Sequence, residues 1–129
     1  MRLLISITLI FTLAACFPNN PVKMSMTATP LPNTPEVTAA GKAIFERNCQ
    51  MCHGVEGRGD GAAAPALATK PANLRLLNNK PEGLIAMRII GGGSVMPAWK
   101  NILTEEEIWQ LSRYIKTISQ QEAQTVAKK

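Results

Sequence analysis

Cys49-Gln50-Met51-Cys52-His53 is the stretch on which the reading of this chain turns. Two thiols with two residues between them, followed at once by an imidazole, form the attachment pattern of a c-type haem. Both sulfurs can add across the two vinyl groups of one porphyrin, and a single turn of chain fits the distance between those vinyls. His53 is then carried beneath the iron as an axial ligand. Iron held in this way usually moves electrons. A structural zinc site would need two further Cys or His ligands. His53 is the only His among 129 residues, and the third Cys, Cys16, lies in an apolar N-terminal segment. A thioredoxin-like redox pair belongs beside a βαβ pattern, which this sequence lacks. A disulfide between Cys49 and Cys52 is conceivable only as a side product.

Upstream, Met1-Arg2 leads into the short apolar run Leu3 to Leu13, with the layout of a secretory signal and too few residues to span a bilayer comfortably. The run ends in Leu13-Ala14-Ala15-Cys16, which resembles a bacterial lipobox. Residues 1–15 read as a lipoprotein signal peptide, with Cys16 as the lipidated residue. The competing reading is an ordinary signal cut after Ala15 that leaves a free thiol. Covalent haem attachment in bacteria takes place outside the cytoplasm, so export and the haem motif support each other. The expected location is the extracytoplasmic, periplasmic face of a bacterial membrane, with two acyl chains sufficing for stable attachment. Cleavage before Cys16 removes Arg2 and lowers the formal charge from +5 to +4. No nucleic-acid partner is expected.

Residues 16–37 are rich in Pro, Thr and Asn, and read as an extended tether after Cys16. Proline lacks the amide donor and fixes φ, so the stretch is not expected to build a helix. At ~3.1 Å per residue it would reach on the order of 60 Å. The folded domain is expected over 38–120 and a polar, frayed tail over 121–129. Three helices are read. One runs from about Thr38, its possible N-cap, to Cys49. A second starts near Pro81 and ends at Gly91-Gly92-Gly93. A third opens at the capping box Thr104-Glu105-Glu106-Glu107 and carries the stripe Ile108, Leu111, Ile115 and Ile118. No segment shows strand alternation. The fold class is all-α, with long loops. Gly54 to Asn73 makes sense as a loop only if it wraps something, for which a haem edge is the candidate.

These motifs together resemble class I cytochromes c over almost all of residues 38–118. Gly41-Lys42-Ala43-Ile44-Phe45 is similar to the family's N-terminal helix, and Tyr114 to its partner on the C-terminal helix. A Gly at the crossing lets two helix axes approach closely. Ala64-Pro65-Ala66-Leu67 resembles the loop after the haem motif. The resemblance implies a Pro65 carbonyl accepting from the His53 ring, with Leu67 packed on the porphyrin; a simple loop breaker at Pro65 remains the alternative. Met96-Pro97-Ala98-Trp99 resembles the second family signature. It implies Met96 as the distal iron ligand, Pro97 stiffening the loop and Trp99 near a haem propionate. Met87 reads as packing on a helix face, while Met51 points away from the iron.

The resemblance implies one covalently bound haem c held by Cys49 and Cys52, with His53 and Met96 on the iron. A mono-haem carrier of single electrons between respiratory or photosynthetic partners is expected, rather than an enzyme. Two other roles stay open. A lipoprotein with a Pro-rich tether resembles the mono-haem cytochrome subunit of alternative complex III, so the chain could be a fixed subunit of such a complex or of a terminal oxidase. A weakly held Met96 would instead open the iron to peroxide or a gas, as in a peroxidase or sensor.

Overall fold

Proline placement sets where the first helix begins. The structure, a computed structural model, describes residues 29–128, so the apolar leader, Cys16 and most of the tether lie outside the described residues. Helix α1 spans Pro35–Asn48. It starts one turn before the expected Thr38, because Pro35 occupies its first turn, where a missing amide costs nothing and φ is already helical. Thr34 is the N-cap, its hydroxyl accepting from Val37 N at 3.4 Å. Thr38 instead donates its hydroxyl to the Thr34 carbonyl. The last residues assigned to the tether are therefore helical.

A single turn, α2 (Gln50–His53), follows with Cys49 as its N-cap, and carries Cys52 and His53. Gly54 ends it at φ 81°. The next ten residues fold back on that turn, with Gly59 N donating to His53 O, Gly61 N to Cys52 O and Ala63 N to Met51 O. Gly59, at φ 77°, lies so close to the Pro71 carbonyl that a side chain has no room. Two short 3-10 turns, Ala64–Ala66 and Leu74–Leu76, complete the loop.

Helix α3 (Glu82–Gly91) follows Pro81 and buries Gly83, Ile85, Ala86 and Ile89. Met87 is 44 % exposed, so it does not serve the packing role expected from its place on a helix. Helix α4 (Glu105–Ala127) opens with the expected capping box: Glu107 N donates to the Thr104 hydroxyl and Thr104 N to the Glu107 carboxylate. Its buried stripe includes Ile108, Leu111, Ile115 and Ile118. The helix does not end near residue 120; the stretch expected to fray is its last two turns. Glu122 holds those turns down, accepting from Arg75 Nε at 2.8 Å and lying 3.5 Å from Arg58 Nη1.

The core is the contact of α4 with α1, α3 and the Leu74–Leu76 turn. At the crossing with α1, a side chain on Gly41 would strike the backbone carbonyl of Gln110. Phe45 and Tyr114 meet beside it with ring centroids 5.4 Å apart. Glu82 and Arg113, 3.2 Å apart, join α3 to α4. Among the described residues there is no strand, only an isolated bridge between Gly93 and Met96. The architecture is the all-α one expected, and no described helix is long and apolar enough to cross a membrane.

Candidate haem-binding site

Between the α2 turn on one side and the segment after α3 on the other lies an apolar cleft of about 530 Å³. That is the size range of small-molecule and cofactor sites, about 300–1,000 Å³. Cys49, Cys52 and His53 front it from the turn, and Met96 fronts it from the loop. Leu67 and Trp99 also line it. Of the seven haem-contacting residues expected from motif and resemblance, six line the cleft and only Pro65 is absent from its walls.

Cys49 is placed by the end of α1, its amide donating to the Phe45 carbonyl at 2.8 Å. One turn later the Cys52 and His53 amides both donate to the Cys49 carbonyl, so all three side chains issue from one tight coil. Neither thiol is paired. Burial, reinforced by Cys52, pushes the Cys49 thiol up to about 11, so it stays protonated at neutral pH. Thiolate is the form that binds a metal, and among the described residues no cluster of His, Cys, Asp or Glu could hold an ion.

His53 is nearly buried, and burial lowers its pKa although a backbone hydrogen bond opposes the shift. The neutral ring is the form that ligates iron. Its Nδ1 lies 3.1 Å from the carbonyl of Ala72. A carbonyl can only accept, so Nδ1 carries the proton and Nε2 keeps its lone pair for a metal. This corrects the expectation for Pro65. Pro65 is exposed in the Ala64–Ala66 turn, while the carbonyl that reaches the ring comes from the next Pro-Ala pair, Pro71-Ala72. The sequence holds both pairs, and nothing in the spacing chose between them.

Met96 is half-buried against the core. It closes a tight hairpin with Gly93 through two backbone hydrogen bonds of 2.9 Å, with Ser94 (φ 53°) and Val95 at the tip. Ser94 donates to the Thr69 hydroxyl at 3.2 Å, joining the tip to the opposite loop. Beyond it, Trp99 N donates to the Ile89 carbonyl at 3.0 Å. No sequence motif places a surface charge, and the structure sets three cations, Lys70, Lys80 and Arg88, along the cleft.

The donor set fits haem c. Two thiols and an imidazole face a thioether across an apolar slot, with no carboxylate on its walls. Bound there, haem c supplies a one-electron ferric/ferrous couple. Fold and site together define a class I c-type cytochrome, a class whose cofactor is covalently attached haem c. Residues 36–115 match the family described as cytochrome C oxidase, cbb3-type, subunit III, and the chain belongs to that family.

The chain is 35% identical over 83 residues to the cbb3-type cytochrome c oxidase subunit CcoP of Azospirillum sp. (strain B510), covering 60% of this chain and 27% of that protein. It is 29% identical over 94 residues to the subunit FixP of Sinorhizobium medicae (strain WSM419), covering 72% and 32%. Cytochrome c6 of Synechocystis sp. is 30% identical over 77 residues, 60% of this chain and 62% of that one. Among solved structures, a chain of the Kuenenia stuttgartiensis reducing HAO-like protein complex superposes with a TM-score of 0.63 at 31% identity, covering 69% of this chain and 46% of that chain. The chain spans about a third of the length of the oxidase subunits it matches.

Proposed function

We propose that this chain is a mono-haem electron carrier in which Cys49 and Cys52 form the two thioethers and His53 and Met96 ligate the iron. The observation that carries the reading is the convergence of these four side chains on one apolar cleft. With His53 and Met96 both on the iron, a bound haem would have no open position for a substrate, and electrons would cross at its edge. His/Met ligation raises the potential relative to two nitrogen ligands. Trp99, which lines the cleft, would stand beside a propionate. Haem staining that survives denaturing electrophoresis tests the attachment. The Cys49→Ala, Cys52→Ala double variant loses the stain, and a stain that persists would remove the reading.

The carrier is anchored through a lipidated Cys16 on the extracytoplasmic face of a bacterial membrane, with the Pro-rich segment as its tether. The support is the lipobox-like Leu13-Ala14-Ala15-Cys16. Cys16→Ser should release the protein, haem intact, into the soluble extracytoplasmic fraction. An unmodified Cys16 found by mass spectrometry removes the anchor.

The similarity to CcoP and FixP, both named as oxidase subunits, favours a second reading, a fixed subunit of a larger respiratory complex such as a terminal oxidase or alternative complex III. Extraction in mild detergent separates the two: stoichiometric partners mean a subunit, and a lone cytochrome means a shuttle. The hydrogen bonds that hold the Met96 hairpin argue against a peroxidase or gas sensor.

A further inference from the structure

Three glycines before Met96 suggest a slack loop, yet one side chain is seated in the space they leave. Arg88 stands in the last turn of α3 and donates Nη1 to the Gly92 carbonyl at 3.0 Å. Gly92 is the first residue past the helix, at φ 62°. Carbonyls at a helix C-terminus lack amide partners and carry the negative end of the dipole, so a guanidinium suits them twice over. Gly93 follows at φ 141°. A Cβ there would meet only Arg88, its Nη1 and then its Cζ. The bare Cα of Gly93 is therefore the seat of the guanidinium. Gly93 is also the residue whose N–H and carbonyl close the hairpin onto Met96. From Arg88 to the Met96 backbone there are thus two links, one side-chain contact and one backbone pair. Both residues front the same cleft. Among the described residues no carboxylate forms an ion pair with Arg88, so its contact with the hairpin is its polar attachment.

We infer that Arg88 is a positioning residue for Met96: its guanidinium, seated against Gly93 and bonded to the Gly92 carbonyl, holds the hairpin that presents the thioether. The inference rests on the proposed reading of Met96 as an iron ligand. A thioether is a neutral, weak ligand, so how long it stays on ferric iron depends on how firmly its loop is held. Loosening the loop raises the fraction of molecules with an open sixth position, and an external ligand binds in proportion to that fraction.

The full-length haem-loaded protein is the material, and imidazole binding to the ferric form is the probe, followed together with the methionine-to-ferric charge-transfer band and the reduction potential. Arg88 is exposed, so its replacement leaves the core intact. Arg88→Gln should raise the imidazole association rate about tenfold, the order expected for losing one hydrogen bond from a charged donor. The band should weaken while covalent haem content stays the same. Arg88→Lys, which keeps a cationic donor, should bring the rate back towards that of the wild type. An Arg88→Gln protein whose rate and band match the wild type, while Met96→Ala binds imidazole freely, overturns the inference. So does a change in potential alone, which would make Arg88 only a nearby charge. Should Met96→Ala leave band and rate unchanged, the ligand assignment itself has failed, and the two failures are told apart.

Discussion

Gly41 and His53 show two ways in which a single residue sets this domain. At Gly41 the requirement is the absence of an atom. Its missing Cβ lets α1 rest on the Gln110 carbonyl of α4, a backbone group that cannot turn aside. Gly41→Ala should therefore destabilise the protein by about 2 kcal/mol, the middle of the range for overpacking a tight contact. Thermal unfolding of the haem-loaded protein measures it, and an unchanged midpoint would mean that the helices slide apart without penalty. At His53 the requirement is a partner, the Ala72 carbonyl. The gathering of Cys49, Cys52, His53 and Met96 at one cleft was legible in the sequence, because two short motifs of fixed spacing pointed to those four side chains. The partner of His53 was not, because a backbone acceptor leaves no mark on residue identity. The expectation fell on the carbonyl of Pro65, whereas the fold uses that of Ala72, the second residue of a later Pro-Ala pair.

Among the elements, α4 was clear at its start and misread at its end. The capping box is local chemistry, four residues wide, and reads directly from Thr104 to Glu107. The end depends on Arg58 and Arg75, far off in the chain, which hold Glu122 from the loop around the haem motif. The Arg75 hydrogen bond, aided by the charge of Arg58, holds the Glu122 carboxyl below its ordinary value of 4.5. A carboxylate lowered on folding binds fewer protons in the native state, so stability is gained above the unfolded value and lost as pH falls through the folded one. Glu122→Gln should therefore raise amide exchange in residues 57–76 at neutral pH, and the difference from wild type should vanish in acid and shrink at high salt. A difference that persists unchanged in acid would exclude the ion pairs as its source. Glu82 has the opposite sign. Burial raises its pKa against the pull of Arg113 and Lys116, so its contribution weakens as pH rises through the interval above 4.5.

At the scale of the whole molecule, the cleft is the feature that the polypeptide alone does not explain. Helix α4 packs against α1 and α3, and the apolar cleft of about 530 Å³ lies beside that contact. A domain of this length is near the lower limit for a self-supporting core. An apolar slot this large, filled only by water, withholds part of the burial that offsets chain entropy. The haem-free chain is therefore expected to be a loosely packed globule. Material expressed without haem attachment should retain much of its helical far-ultraviolet signal, since α4 has its own caps and the α1 crossing makes no use of the cleft. It should bind a hydrophobic dye and lose the near-ultraviolet signal of fixed aromatic side chains. The two tryptophans divide the answer, because Trp99 lines the cleft and Trp109 is 1 % exposed. Quenching by acrylamide, with each Trp changed to Phe in turn, should find Trp99 open in haem-free protein and Trp109 more protected. Cooperative unfolding of haem-free protein at the midpoint of the loaded form would show instead that the helices suffice and that the cleft is a preformed socket.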